Sequence, residues 1–173
     1  MPPSKPFVAN VDIMIPFNSK VMLVNDIAGS ENGQTWIRAR TDGPPVHTHP
    51  LQEEWIQAIS GGLEVYLNKK WNKLLPEESI LIPENAPHTY RNSSPDDCVF
   101  AYKITPKGNF SEMMQCFEQL SKDSKLTSLK KFSSLLYLAM AFKKFKKDVR
   151  SISPPDFVMT IMAAIAKLRG YKI

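Results

Sequence analysis

Gly43-Pro-Pro-Val-His47-Thr-His49-Pro-Leu-Gln-Glu53-Glu54-Trp-Ile-Gln-Ala-Ile-Ser-Gly61 is the stretch on which the fold turns. His47 and His49 stand two apart, and on an extended strand such residues point to one face. Four residues intervene before Glu54, and six more before Gly61. The third histidine lies in Pro83-Glu-Asn-Ala-Pro-His88-Thr-Tyr90-Arg-Asn92, so both segments together hold every histidine of the chain. Imidazoles and one carboxylate held on rigid neighbouring strands suit a divalent first-row ion. The candidate ligands are therefore His47, His49, Glu54 and His88. Glu53 is the rival of Glu54, but the six-residue step to Gly61 favours Glu54, which would turn Ile56 and Ala58 inward with it.

Outward from this stretch the pattern stays short and β-like. Residues 34–41, 53–60, 63–68, 79–83, 88–92 and 98–104 are rich in β-branched and aromatic residues, with turn-forming runs between them. No helical period separates them, which points to a sandwich or barrel and not to βαβ units. The period changes after Pro106. Ser111 is placed to cap a first helix carrying Met114, Phe117 and Leu120, and a second is expected from about Thr127. A third has Ser153 as its expected cap, Pro154 and Pro155 in its first turn and Gly170 as its stop. The expected organisation is an extended arm over 1–19, a barrel over 20–106 and a helical extension over 107–173.

With the spacings in view, the first segment resembles the first motif of the cupin superfamily: a glycine, His-x-His, a glutamate and a second glycine. The second segment resembles the other cupin motif, met here by Pro83, His88 and Asn92. The likeness is to small single-domain cupins of the RmlC-like jelly-roll type. It implies a mainly β fold, a double-stranded β-helix barrel, here followed by about three C-terminal helices. It also places the family's four metal-ligand positions on His47, His49, Glu54 and His88. The chain departs from the pattern in three places: Gly43 lies closer to His47 than usual, Asn85 replaces one motif glycine and Glu77 another. Asparagine tolerates positive φ, so Asn85 can keep its turn. The family contains dioxygenases and isomerases, which makes a metal-dependent enzyme of that kind one expectation. A non-enzymatic module that binds or senses a small ligand is the other, because one barrel hosts many chemistries. The cofactor is one divalent transition metal, with Fe, Mn, Ni, Zn and Cu all compatible with this donor set.

Other residues carry two readings each. Tyr90, two after His88, faces the same way and is either a residue orienting substrate or metal-bound water, or a barrel-filling aromatic. Phe100 and Tyr102 share that ambiguity. Trp36, Arg38 and Arg40 fit a solvated outer face better than a pocket wall, since arginine seldom lines a core unpaired. Asn92 is expected to hold a turn or a neighbouring strand, and the Met113-Met114 pair to fill core. No serine or cysteine sits in a nucleophile motif, which leaves the metal as the visible catalyst.

Charge divides the chain. Residues 1–110 carry a net −2 and residues 111–173 a net +7. A basic tail beside the apolar run FVMTIMAAIA (157–166) admits contact with a membrane surface. Packing on the barrel or closing a homodimer is the favoured alternative. No basic–aromatic interleaving supports nucleic acid. Cys98 and Cys116 have no ligand spacing, and the opening MPPSKPFVAN lacks the apolar centre of a signal peptide. A reducing cytoplasm is the expected location.

Overall fold

The computed structural model describes residues 12–15, 19–27 and 29–173. Of the arm expected over 1–19, residues 1–11 and 16–18 lie outside the described set. Among the described residues the strands are β1 (Asp12–Ile15), β2 (Ser19–Ile27), β3 (Ser30–Ile37), β4 (Thr41–Asp42), β5 (His47–Thr48) and β6 (Glu53–Ser60). They continue as β7 (Leu63–Leu67), β8 (Lys70–Leu74), β9 (Ser79–Ile82), β10 (Thr89–Asn92) and β11 (Cys98–Thr105). Helices α1 (Phe110–Lys122), α2 (Phe132–Lys144) and α3 (Asp156–Leu168) follow, with the short strand β12 (Arg150–Ser151) between the last two.

Every strand pairing is antiparallel. One sheet runs β1-β2-β3-β11-β6-β9, a second β4-β10-β7-β8, and a third pairs β12 with β5. This is the jelly roll the motifs implied, with three helices after it. Alternation builds its interior: Glu54, Ile56 and Ala58 of β6, Leu63, Val65 and Leu67 of β7, and Phe100, Tyr102 and Ile104 of β11 are all buried. The β3 alternation behaves likewise. Thr35 and Ile37 are buried, while Arg38 and Arg40 are exposed beyond the strand's end.

Several local expectations shift. The strand read over 34–41 stops at Ile37, because Arg40 takes a left-handed φ of 52° and Ala39 donates its amide to Asp97 Oδ1. The β8 strand, KWNKL, had read as turn; it is a polar strand at the sheet edge, where lysines discourage further pairing. Asn85 adopts φ 59° and so keeps its turn, and Glu77 reaches φ 74° where a glycine is usual. Asn92 holds three backbone carbonyls at once, those of Ile37, Arg38 and Asp96, and accepts from Ser94.

The helix starts also move, for tertiary reasons. Ser111 is inside α1, not its cap. The buried Glu31 carboxylate of β3 accepts from the Phe110 and Ser111 amides instead, an anion at a helix N-terminus. The α2 helix begins at Phe132 and not near Thr127, since the Ser134 hydroxyl accepts the Thr127 amide and holds that segment in a loop. The N-cap position of α3 is Pro155, not Ser153. Gly170 does end α3: at φ 78° it and Tyr171 return their amides to Lys167 and Ala166. Only one face of α3 is covered, through Met159, Ala163 and Ala166, whereas Phe157, Ile161 and Leu168 are exposed. No helix of the described residues is long and apolar enough to cross a membrane.

Candidate metal centre

The three histidines are brought together by backbone pairing. His47 and His88 form an antiparallel bridge, exchanging N–H···O bonds of 3.0 and 2.9 Å. The Asn85 amide donates to His49 O at 2.8 Å, which seats the 83–88 turn against the histidine strand. The first glycine of the motif has a steric reason: a Cβ on Gly43 would overlap the Tyr90 carbonyl oxygen. At Gly61, φ 77° and the nearness of Asp97 and Cys98 exclude a side chain.

All three rings are buried, with centroids 4.4 to 5.2 Å apart. One donor nitrogen from each lies within 4.8 Å of those of the other two. Each Nδ1 faces a backbone carbonyl: Pro45 O at 2.8 Å for His47, Asp148 O at 2.6 Å for His49, Ala86 O at 2.9 Å for His88. A carbonyl only accepts, so each Nδ1 carries the proton. In a neutral imidazole that leaves the Nε2 lone pair as the free donor, the tautomer a metal ligand needs.

Glu54 reaches this cluster from β6. Its Oε2 stands 3.0 Å from His88 Nε2 and 3.6 Å from His49 Nε2, while Glu53 faces solvent. Despite the 3.0 Å separation, His88 Nε2 has no properly angled hydrogen bond among the described residues. A carboxylate so close to an imidazole nitrogen needs either a proton on that nitrogen or a cation shared between them. Burial, reinforced by His88 and His49, holds His47 well below its ordinary pKa. Burial lowers His49 too, although Glu54 pulls the other way. For Glu54 burial raises the pKa, but His88 and His49 together more than offset it and the carboxyl lies below its usual value. The donor set and its tautomers fit a divalent ion.

The cluster opens onto a cavity. Its barrel side is lined by Thr35, Pro44, Tyr90, Phe100 and Tyr102, and its other wall by Phe110, Met113, Met114 and Phe117 of α1, Phe142 of α2 and Val149. The space measures about 600 Å³ with its open mouth included. Tyr90 packs its ring on Phe100, centroids 5.0 Å apart, and burial, with Glu54 nearby, pushes its hydroxyl pKa up.

The helical segment is joined to the site as well as covering it. Ser151 of β12 pairs with His47 and Arg150 with Thr48. The Asp148 carbonyl orients His49, and its carboxylate accepts the Asn109 amide ahead of α1. Sequence reading passed over Asp148 inside a basic run; 99 residues separate it from His49, and no local pattern marks such a contact. It read Met113 and Met114 as core, correct as to burial, without the cavity they face.

Residues 37–104 match the family model of the Cupin domain. Two curated proteins are similar over part of the chain. A polyketide synthase, CurC, of Streptomyces cyaneus is 28% identical over 60 residues, 35% of this chain and 39% of that protein. Protein SchB of Streptomyces halstedii is 25% identical over 89 residues, 50% of this chain and 64% of that protein. The chain thus spans about half the length of these curated relatives. Among solved structures, an RmlC-like cupin from Shewanella frigidimarina superposes with a TM-score of 0.50 at 13% identity, covering 62% of this chain and 89% of that one. That likeness concerns the fold.

Proposed function

From a chain whose residues 37–104 match the Cupin domain model, we propose a metal-dependent protein acting on a small organic molecule held in the adjoining cavity. His47, His49 and His88 with Glu54 would hold one divalent first-row ion. The observation that carries this reading is the set of three Nδ1–carbonyl bonds, which leaves three buried Nε2 lone pairs around one carboxylate. Bound there, the ion supplies Lewis acidity or an oxygen-activating centre, as isomerisation or dioxygenation requires. Tyr90 lines the same cavity and, protonated, is a donor to a substrate oxygen. The helical wall excludes water from the reacting molecule.

Elemental analysis of the purified protein tests the premise. About one equivalent of a single transition metal is expected, falling to near zero in a His47→Ala, His49→Ala double variant. Unchanged metal content in that variant would remove the basis of the reading.

A binding or sensing role without turnover is the second reading. It is favoured by the cavity wall itself, which among the described residues offers no acid or base beyond the histidines, Glu54 and two phenols. The free cysteines Cys98 and Cys116 accord with a reducing cytoplasm. Pairing of two copies through the uncovered face of α3 is our reading of the assembly, supported by exposed Phe157, Ile161 and Leu168.

A further inference from the structure

The polar groups that face the cavity are few, and one of them is unspent. Tyr102 is 3% exposed, lines the cavity from β11 and has a hydroxyl with no hydrogen-bond partner among the described residues. An unpaired buried hydroxyl costs stability, so such a group in a cavity wall is a place where a ligand atom returns the missing bond. Burial, with the Glu31 and Glu54 carboxylates in reach, raises its pKa, so it is a neutral phenol with a proton to give.

The remaining walls set the body of the ligand. Among the described residues no lysine or arginine lines the cavity, and Glu54 is the one carboxylate. A phosphate or sulfate entering it would lose its hydration with only the ion proposed at the histidine cluster to compensate. The space, about 600 Å³ with its open mouth included, lies against Phe117, Phe142, Met113 and Met114. Aromatic faces and thioethers favour an apolar ring.

We propose that the cavity binds a mainly apolar, unphosphorylated molecule whose neutral acceptor oxygen, such as a carbonyl, is held by the Tyr102 hydroxyl. This deepens the functional reading given above, because it names the class of molecule presented to the histidine cluster. It does not depend on the metal for its hydrogen bond.

Binding of two isosteric probes, acetophenone and α-methylstyrene, measured by ligand-observed NMR on the full chain, tests this directly. They differ only in C=O against C=CH2. The wild type should prefer acetophenone by about fivefold, the scale of one net hydrogen bond. In Tyr102→Phe the preference should vanish or reverse in favour of α-methylstyrene, whose own binding stays unchanged, because the carbonyl is then buried without a partner. The preference should persist in protein stripped of metal with a chelator, which separates failure of this proposal from failure of the metal reading. Glucose 6-phosphate should not displace acetophenone. Thermal melting adds an independent readout: Tyr102→Phe should melt at or above the wild-type temperature, since it deletes an unpaired hydroxyl. A drop of several degrees would show that the hydroxyl is already bonded within the protein and would overturn the proposal. So would the absence of acetophenone binding, a preference retained in Tyr102→Phe, or displacement by glucose 6-phosphate.

Discussion

The two walls of the cavity differ in kind. The barrel wall carries nearly all the polar chemistry, with His47, His49, Glu54, Tyr90 and Tyr102 on strands or strand ends. The helical wall presents methionine and phenylalanine side chains and not one ionisable group. A strand holds its side chains at defined angles, set by pairing such as the His47–His88 bridge, and suits groups that must converge. Helices packed by apolar contact tolerate volume changes better and suit a wall that sets shape. In the proposed reading the barrel would supply reactivity and the helices selection. The two are coupled at Asp148, whose carbonyl orients His49 and whose carboxylate anchors the start of α1.

That division can be tested from either side. The largest effect should come from the barrel wall: the His47→Ala, His49→Ala variant should lose metal affinity by well over 100-fold, read by competition with a chelator, while its circular dichroism stays that of the wild type. From the helical wall, Phe142→Ala should cost about 3–5 kcal/mol of stability in urea unfolding, as aromatic truncations in a core do. It should nonetheless retain metal stoichiometry. Parallel loss of metal would show that the helical wall takes part in the centre itself.

The joint between walls should give an intermediate effect. Glu31→Gln keeps the shape of the side chain that serves the α1 amides but removes its charge, and should cost about 1 kcal/mol in urea unfolding.

Acid should act on the barrel wall. His47 and His49 have folded pKa values below the ordinary 6.5, so under mildly acidic conditions the unfolded chain binds more protons than the native one. Stability present above 6.5 is then lost as pH falls toward the lowered folded values. Glu54 works in a lower window: its contribution holds above its ordinary 4.5 and is lost only as pH passes through its depressed value. The chelated protein should therefore melt several degrees lower at pH 5 than at pH 7. A melting temperature flat over that interval would contradict the neutral-imidazole assignment.

The smallest effect is expected outside the cavity. Phe157→Glu with Ile161→Glu on exposed α3 positions should change stability by less than about 0.5 kcal/mol. Sedimentation velocity then shows whether the same face joins two copies: a dimer in the wild type that is a monomer in the variant supports pairing through α3.

Much of the barrel was legible because β alternation and turn residues are local signals. The pattern over 53–60 alone turns Glu54, Ile56 and Ala58 to one side, and the structure buries all three. The scarcity of histidine did the same for the site, since three residues in two short segments had few ways to be arranged. Polar β8 escaped because an edge strand needs no apolar face, and the helix starts escaped because their partners come from afar. Glu31 meets Ser111 across 80 positions, and Ser134 fixes a loop that helical periodicity alone would continue.

Residue type, spacing and strand period thus sufficed for the jelly roll, for the gathering of His47, His49 and His88, and for the choice of Glu54 over Glu53 on the inner face. These follow from two-residue alternation and from chemistry that few side chains can perform. Tertiary packing alone decided that the helices form the second wall of the cavity, that Asp148 orients His49, and that Tyr102 faces that cavity without a partner among the described residues. Such facts depend on which surfaces meet after the chain closes on itself, and contacts across a hundred residues leave no period in the sequence to be read.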